Sequence, residues 1–386
     1  MPIDWVQARK TVYEKARQAR LDTITVPLGE SDGLVLSDSL VPLTDLPAFP
    51  TSSVDGWAVR GAGPWRVIGR VLAGGEAPPL TEDGTTMEIA TGAMVPQGAT
   101  AIVRVEDSTA DGDMVSGEPR PAVEWREPGE EAHAGEELFP AGTRITPGLI
   151  GLAAACGYDT LNVMRRPRIS VMICGDELLT SGPPGGGRVR DALGPPLPAY
   201  LKRFGAEVVR VLGPIEDTLE AHVGTLRQLL DCDVICTTGG TMRGPVDHLH
   251  PALDRLGAEY VVNTVAVRPG YPMMIAKIPD GPFIAGLPGN PQSAMVALMS
   301  LVGPLLAGLT GQPHPELAVG TLDGPVAGRG DFTHLALVRR HGAHWVPVPH
   351  VGSAMLRGLA GSQSFAVIPP HGQGLPGQRV ELLEFP

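Results

Sequence analysis

Residues 169–177 read Ile-Ser-Val-Met-Ile-Cys-Gly-Asp-Glu, an almost continuous apolar run that passes directly into a glycine and two carboxylates. The arrangement returns as Val-Ile-Cys-Thr-Thr-Gly-Gly at 234–240 and as Phe-Ile-Ala-Gly-Leu-Pro-Gly-Asn-Pro at 283–291. Because helical patterns such as 218–230 separate these short apolar runs, the sequence predicts βαβ units and a mainly parallel sheet. Ligands of such sheets bind beyond the carboxyl ends of the strands. We therefore expect the three glycine-containing turns to share one edge of the sheet.

The segments around this sheet have a different character. Residues 4–20 predict an amphipathic helix with Asp4 as its N-cap. Residues 40–125 and 312–386 alternate short β-rich pieces with Gly/Pro turns, which predicts two compact β regions. The longest apolar stretch, 293–309, is interrupted by glycine and proline. It predicts a buried helix rather than a membrane span.

Composition limits the classes of function. The 386 residues carry a formal net charge of −12, which argues against general binding of nucleic acid or anionic membranes because like charges repel. Four cysteines in so long a chain do not make a disulfide framework. Charged side chains within residues 1–10, with no apolar stretch after them, argue against a signal peptide. We therefore expect a cytoplasmic protein.

The carboxylates beside the glycine turns indicate one kind of ligand. Glycine loops and helix N-termini bind anions through backbone N–H groups. Glu177 and Asp247 would repel a phosphate there unless a hard cation lies between them. Mg²⁺, held by one or two carboxylates and by phosphate oxygens, meets both conditions. For each turn taken alone, an ordinary βα connection with a capping carboxylate stays an alternative.

Two other segments and a pair of histidines have simpler local interpretations. Asp55-Gly56 is a signal for a hairpin turn. Thr91 begins a turn-rich loop, 91–98, which is either a connection or a place where the threonine binds an oxyanion. His248 and His250 follow Asp247, but alternate positions do not share a helix face. We therefore predict surface histidines there rather than metal ligands.

Several motifs in this order resemble the MoeA molybdenum insertase family, which includes the gephyrin E domain. The matching segments, written with the family patterns, are PxFxxSxxDGxA at 47–58, TGAxxPxGA at 91–99, TGDEL at 174–178, GGxSxGxxD at 239–247, PGKP at 269–272, LPGNPxSA at 287–294 and GS at 352–353. Each motif alone is a weak signal. Their common order over nearly the whole chain makes the resemblance specific.

The resemblance implies a multidomain α/β plus β fold and a four-part protomer, usually in a homodimer. Domain I is discontinuous, at 1–40 and 127–165, and an inserted β-rich domain II lies at 41–126. Domain III, at 166–311, is a MogA-like α/β molybdopterin-binding domain. Domain IV, at 312–386, is a small C-terminal β-barrel.

The resemblance also implies an activity, namely insertion of molybdate into adenylylated molybdopterin with Mg²⁺ and release of AMP. A MogA-like adenylyltransferase is an implied partner. The implied catalytic residues are Asp55, Thr91, Glu177, Asp217, Asp247 and Arg268, of which Glu177, Asp217 and Asp247 are the metal ligands. The implied binding residues are Gly175, Asp176, Gly239, Gly240, Pro288, Gly289, Asn290, Pro291, His334 and Ser353, the last two with Arg268 in the molybdate region.

Several positions of the family pattern are altered in this chain. Arg268 keeps a positive charge where the family has lysine, although a guanidinium fork is not a lysine point charge. The other altered positions are Tyr271 and Thr264 for two lysines, His334 for an arginine, Met242 or Arg243 for the loop serine, and Asp191-Ala192-Leu193 for the usual DSN.

These changes leave three functions open. The first is an active molybdenum insertase. The second is a divergent, non-catalytic paralogue that binds molybdopterin or a nucleotide as a carrier or scaffold. The third is an enzyme that acts on another adenylylated small molecule, with Tyr271 and Met242 lining an altered pocket.

Overall fold

The computed structural model describes residues 2–242, 244, 247–349 and 352–386. The helices are α1 Trp5–Arg17, α2 Pro147–Ala155, α3 Leu197–Arg203, α4 Leu219–Gln228, α5 Leu249–Arg255, α6 Pro291–Ala297, α7 Gly303–Leu309 and α8 Leu356–Ala360. The strands are β1 Thr23–Pro27, β2 Val35–Leu36, β3 Thr51–Ser52, β4 Gly56–Arg60, β5 Trp65–Val71, β6 Thr85–Ile89, β7 Ala101–Arg104, β8 Ser108–Asp111, β9 Met114–Gly117, β10 Trp125–Arg126, β11 Thr160–Met164, β12 Arg168–Cys174, β13 Leu178–Leu179, β14 Val189–Arg190, β15 Glu207–Ile215, β16 Val234–Thr238, β17 Glu259–Asn263, β18 Val267–Arg268, β19 Met274–Lys277, β20 Phe283–Leu287, β21 Ala318–Leu322, β22 Thr333–His341, β23 His344–Pro347, β24 Ser364–Ile368 and β25 Arg379–Glu384.

The chain divides into two compact units. The sheet unit holds the residues up to Ile24, Gly33–Ser37 and Val163–Pro386. The insertion unit holds Thr25–Asp32 and Asp38–Asn162. Helix α1 belongs to the sheet unit, whereas the sequence places it with domain I. The four domain boundaries stay a prediction.

The central sheet of the sheet unit has the strand order β15-β12-β16-β20-β19-β17. The first four strands run parallel, and β19 is antiparallel to both of its neighbours. Ile173 is level with Thr238, and Thr238 is level with Leu287. The three glycine-containing turns therefore leave the sheet at one edge, which confirms the predicted α/β sheet and its shared edge.

Helices cover both faces of this sheet, which is why its central strands are continuous apolar runs. Ile169, Val171 and Ile173 of β12 pack in one core with α1, α3 and the helices after β20. The alternate residues Met172 and Cys174 pack in a second core with α4 and α5. The period of two along the strand thus distributes the apolar side chains between two layers.

Helix α1 confirms the predicted cap and the predicted apolar face. An Asp4 carboxylate oxygen accepts hydrogen bonds from the backbone N–H groups of Val6 at 2.9 Å and Gln7 at 3.1 Å. Trp5 is fully buried, and its indole Nε1 donates to Ser300 Oγ at 2.9 Å. The helix therefore docks on the helical segment that follows β20.

That segment, Pro291–Leu309, is long and apolar enough to cross a membrane by length and composition alone. Its apolar window is completely buried inside the fold, as the sequence predicts for a core helix. A wide π-type turn at Leu298–Val302 separates α6 from α7. Because Pro304 has no N–H for the helical ladder, a change of hydrogen bonding near it is expected.

Two β regions complete the fold. In the insertion unit a six-stranded sheet has the order β7-β4-β6-β5-β9-β8. In the C-terminal region the order β22-β23-β21-β25-β24 closes on itself through the pairing of β24 with β22. The predicted β-rich insertion and small C-terminal barrel are therefore confirmed.

Candidate functional site

An open cleft of about 1350 Å³ lies where β12, β16 and β20 end, and we call it the strand-end cleft. The residues that line it include carboxylates and glycine turns that the sequence predicts as parts of the site. The predicted residues that line it are Glu177, Gly239, Gly240, Asp247, Pro288, Gly289, Asn290 and Pro291. The fold thus brings together residues that are up to 114 positions apart in the chain, between Glu177 and Pro291.

The loop after β16 needs its glycines for its conformation. Gly239 and Gly240 have φ values of +80° and +63°, which L side chains rarely adopt. The Gly239 N–H donates to the Leu287 carbonyl at 2.9 Å, which ties this loop to the turn after β20. An Asp247 carboxylate oxygen accepts from the Gly244 N–H at 2.6 Å. This hydrogen bond joins Asp247 to its own loop and therefore holds Asp247 at the cleft.

Glu177 lines the cleft from a turn that contains a glycine, Gly175, directly before Asp176. Gly175 has a φ of +141°, and a Cβ there would lie 2.5 Å from Glu177 Oε2. Cys174, at the end of β12, also lines the cleft. Burial raises the pKa of the Cys174 thiol to about 12, so the thiol stays protonated and is neither a nucleophile nor a thiolate ligand near neutral pH.

Gly175, Asp176 and Asp217 have different surroundings. Gly175 and Asp176 line a neighbouring cavity of about 800 Å³. The Asp176 N–H donates to Asp217 Oδ2 and the Asp217 N–H donates to Asp176 Oδ1, each at 3.3 Å. Asp217 thus joins the turn after β12 to the turn after β15 and is not among the residues that line the strand-end cleft.

The three predicted metal ligands therefore do not form one preassembled cluster. Within the described part of the chain, no group of three or more His, Cys, Asp or Glu side chains is arranged to hold an ion. Glu177 and Asp247 do share the strand-end cleft. Two carboxylates with room for phosphate oxygens are a donor set that suits Mg²⁺. The metal assignment stays a prediction.

Sequence reasoning missed two charged residues of the cleft, Arg190 and Asp191. The guanidinium of Arg190 donates to the Leu179 carbonyl at 3.2 Å, across the small β13–β14 ladder. An Asp191 carboxylate oxygen accepts from the N–H groups of Leu193 and Gly194, both at 2.9 Å. The available signal is the segment 191–193, which stands at the DSN position of the family pattern. Arg243, one of the two candidates for the loop-serine position, lies outside the described residues.

An apolar cavity of about 560 Å³ adjoins the cleft. The two share Ala192, Leu193, Pro291 and Leu356, and the apolar cavity extends to Tyr200 and Met295, among others. Met242, at one of the altered motif positions, is 55% exposed and lines the cleft itself. The arrangement suits a ligand with a charged end and a less polar body.

Arg268 and His334, two residues of the predicted molybdate region, are neighbours across the parallel pair β18–β22. His334 Nδ1 lies 2.7 Å from the Ala327 carbonyl oxygen. Burial lowers the pKa of His334 below its usual 6.5, the positive charge of Arg329 adds to this, and the Ala327 carbonyl opposes it. Near neutral pH His334 is therefore neutral, and of these two residues it is Arg268 that carries a positive charge.

Ser353 and Thr264 are held by backbone hydrogen bonds. The Ser353 carbonyl accepts from the Gln292 N–H at 3.0 Å, which places Ser353 at the first turn of α6, beside the strand-end cleft. Thr264 has a φ of +67°, and its N–H donates to Met273 while its carbonyl accepts from Ile3. Thr264, which stands at a lysine position of the family pattern, therefore forms part of a tight turn.

Asp55 and Thr91 meet within the insertion unit. Asp55 Oδ1 accepts from the Thr91 N–H at 2.7 Å and from Thr91 Oγ1 at 3.0 Å. These bonds, the backbone one first, lower the pKa of Asp55. The hairpin-turn interpretation of Asp55-Gly56 is wrong, because the partners of β4 are β6 and β7 rather than the preceding strand.

The prediction of surface histidines after Asp247 is wrong for His250, which is only 7% exposed. Its Nε2 lies 3.2 Å from Asn263 Oδ1, and its ring stacks on Tyr260 with a centroid separation of 5.7 Å. Helix α5 begins at Leu249, so His250 lies in the first turn and faces the core of the sheet unit. His250 therefore has a packing role.

Known proteins match this chain along most of its length. The family descriptions that match are "MoeA N-terminal region (domain I and II)" over residues 3–157 and "Probable molybdopterin binding domain" over residues 170–308. Molybdopterin molybdenumtransferase 2 of Mycobacterium tuberculosis (strain ATCC 25618 / H37Rv) is 34% identical in an alignment of length 325, and the match covers 80% of each chain. Molybdopterin molybdenumtransferase of Synechococcus elongatus is 32% identical in an alignment of length 315, and the match covers 77% of this chain and 78% of that one.

A solved structure shows the same fold over the full length. The molybdopterin biosynthesis MoeA protein from Pyrococcus horikoshii OT3 superposes with a TM-score of 0.82 at 22% identity, and the match covers 99% of both chains. The structural match establishes the fold, and the identity to the two transferases over more than three quarters of the chain establishes the family. The chain therefore belongs to the MoeA family of molybdopterin molybdenumtransferases, enzymes of molybdenum cofactor biosynthesis.

Proposed function

We propose that this enzyme inserts molybdate into adenylylated molybdopterin, with Mg²⁺, and releases AMP. The observation that carries the proposal is the strand-end cleft, which is lined by glycine turns and by both Glu177 and Asp247. Backbone N–H groups favour phosphate, and the carboxylates favour a hard cation that bridges to it. The transferases at 32% and 34% identity support the class of reaction.

Each part of the cleft has a role in this proposal. The backbone N–H groups of Gly240, in the turn after β16, and of Gly289 and Asn290, in the turn before α6, bind the phosphates in this proposal. The N–H groups of Gly239 and Gln292 stay bonded to the Leu287 and Ser353 carbonyls. Glu177 and Asp247 would hold Mg²⁺, which supplies positive charge against the phosphates when it is bound. The less polar body of the substrate occupies the adjoining cavity beside Leu193.

Arg268 binds the oxyanion in this proposal. Its guanidinium is permanently charged, and its N–H groups match a pair of oxygens on a tetrahedral anion. Pro272, four residues after Arg268, lines the strand-end cleft, so the chain runs directly from the proposed oxyanion group to the proposed phosphate site. His334 adds charge only when it is protonated.

Release of AMP from adenylylated molybdopterin, measured with Mg²⁺ and with or without molybdate, tests the proposal. We expect molybdate-dependent release and a metallated pterin. Asp247→Asn keeps an acceptor for the Gly244 N–H but removes the charge, so we expect a loss of activity of about 100-fold with an unchanged fold. Full activity in Asp247→Asn would remove Asp247 from the mechanism.

The carrier or scaffold remains a second candidate because of the altered cations. Tyr271 and Thr264 carry no charge, and burial lowers the pKa of His334. A weaker oxyanion site would leave pterin binding intact and remove insertion. Tight binding of the pterin without molybdate-dependent release of AMP would favour this candidate.

We also propose that the chain acts as a homodimer and receives its substrate from a MogA-like adenylyltransferase. The support is the family resemblance. Sedimentation equilibrium of the purified chain tests the dimer, and co-sedimentation with such an adenylyltransferase tests the contact. A monomer at micromolar concentration would contradict the first part.

A further inference from the structure

The guanidinium of Arg268 lies in a corner formed by two aromatic rings. Its Cζ is 5.2 Å from the ring centroid of Tyr271 and 4.6 Å from that of Phe332. The two rings are 6.0 Å apart and nearly perpendicular, with an interplanar angle of 79°. We call this pair, Tyr271 and Phe332, the aromatic corner.

The corner is assembled from two separate parts of the chain. Tyr271 follows Arg268 by three residues, in the turn after β18. Phe332 comes directly before β22, and β18 runs alongside that strand with Arg268 level with His334. The short parallel pair β18–β22 therefore brings both rings to the same guanidinium.

Among the described residues, two aromatic rings lie against the Arg268 guanidinium and no carboxylate forms an ion pair with it. The arginine ion pairs in the described part of the chain involve other arginines. A carboxylate partner would neutralise the charge and occupy the N–H groups. An aromatic face does neither, because the attraction comes from the ring quadrupole.

An arginine held in this way is suited to binding an anion. A guanidinium is weakly hydrated and planar, so it stacks on aromatic rings and still presents its N–H groups at its edge. Limiting the motion of a long side chain before binding lowers the entropic cost of binding. A lysine ammonium can also lie over a ring, as Lys277 does over Phe283, but it has no planar group whose orientation the rings could fix.

We propose that Tyr271 and Phe332 are positioning residues, which hold Arg268 in the orientation that binds a tetrahedral oxyanion. Tyr271 stands at a lysine position of the family pattern, so this chain has an aromatic support where the pattern has a second cation. One fixed arginine then serves where the pattern has lysines at positions 268 and 271. This inference rests on the proposed function, because that function makes Arg268 the oxyanion-binding group.

The test is equilibrium dialysis of radiolabelled molybdate against the full chain and its variants. Tyr271→Leu and Phe332→Leu each remove one ring, and we expect the Kd to rise about threefold to tenfold. Tyr271→Phe keeps the ring and should stay within about twofold of the unaltered chain. Tyr13→Leu is the matched control, because Tyr13 lies under Arg17 with a separation of 5.8 Å, and it should leave the Kd unchanged.

A positioning role is separated from a merely structural one by a double-mutant cycle. In an Arg268→Ala background, Tyr271→Leu should cause no further loss of molybdate affinity, because the ring acts only through the arginine. In turnover, the KM for molybdate should rise in Tyr271→Leu while kcat for AMP release stays the same. Thermal unfolding of each variant shows whether the fold is intact.

The outcomes distinguish this inference from the proposed function. If Tyr271→Leu and Phe332→Leu both leave molybdate binding unchanged, the positioning role of the aromatic corner is wrong, and the proposed function is not affected. An equal loss from Tyr271→Leu with and without Arg268 would also overturn it. Failure of the unaltered chain to bind molybdate at all would overturn the proposed function and, with it, this inference.

Discussion

The protonation state of one side chain, His334, decides how the oxyanion region responds to pH. Since burial lowers its pKa below 6.5, the imidazole is neutral near pH 7 and becomes a cation only as the pH falls through the lowered value. Only the cation attracts an anion. We therefore expect molybdate affinity to be level between about pH 7 and 8 and to rise as the pH falls through the lowered pKa, below 6.5.

Equilibrium dialysis across this pH range measures the effect, and His334→Gln is the control. Glutamine keeps a polar side chain that does not titrate, so the rise at low pH should disappear. A rise that persists in His334→Gln would assign the titration to another group.

Asp55 offers a second prediction for a single residue. Its carboxylate accepts hydrogen bonds from the N–H and the hydroxyl of Thr91, and these bonds lower its pKa. Because the pKa is lower in the folded protein, the ionised carboxylate stabilises the folded turn. This stabilisation is fully present above the unfolded pKa, near 3.8, and is lost as the pH falls through the lower pKa of the folded state. We expect Asp55→Ala to speed hydrogen exchange at the Thr91 amide several-fold at pH 7. Asp55→Asn, which keeps an acceptor, should have a smaller effect.

At the scale of one element, helix α1 depends on the fit of Trp5. Trp5 is fully buried and bonded to Ser300, so Trp5→Ala leaves a cavity and an unpaired hydroxyl. We expect a loss of about 3–5 kcal/mol in the free energy of unfolding. Trp5→Phe keeps most of the apolar volume but loses the indole donor, and should cost about 1–2 kcal/mol. Urea unfolding followed by far-UV circular dichroism measures both, and equal losses would contradict the cavity argument.

Elements were predictable where the sequence carries a local signal. Asp4 is a capping residue before an apolar face, and the runs at 169–174, 234–238 and 283–287 end in glycine turns, so both the helix and the sheet edge follow from the chain. The π-type turn at Leu298–Val302 has a weaker local signal, because Pro304 indicates only that the hydrogen bonding changes nearby and the apolar residues suit either kind of turn. His250 was misplaced because helix α5 starts at Leu249, and this start decides which of its residues face the core.

The candidate site was predictable to the extent that its residues lie in turns. The glycine turns, Glu177 and Asp247 follow strand ends and were expected at one edge. Arg190 and Asp191 return to that edge through the β13–β14 ladder, whose pairing depends on contacts outside the local sequence. The contact of Phe332 with Arg268 likewise depends on the pairing of β18 with β22, which joins parts of the chain that are far apart.

On the scale of the whole molecule, the strand-end cleft lies within the sheet unit, so a ligand bound there should stabilise that unit selectively. Cys236 of the sheet unit and Cys156 of the insertion unit are free, and both are fully buried. Each thiol therefore reports the unfolding of its own unit when it becomes reactive. At a concentration of 100 times its Kd, a ligand that binds only the folded sheet unit raises the free energy of unfolding of that unit by about 2.7 kcal/mol.

Thiol labelling at increasing urea concentration, read by mass spectrometry, follows both cysteines in one experiment. With AMP and Mg²⁺ present, we expect the labelling midpoint of Cys236 to move to higher urea while that of Cys156 stays in place. Asp247→Ala should abolish the shift at Cys236, because it removes one of the two carboxylates proposed to hold Mg²⁺ against the phosphate. A shift of both midpoints would mean that the insertion unit is also stabilised by the ligand, and Asp55 and Thr91 would then be the first residues of that unit to test.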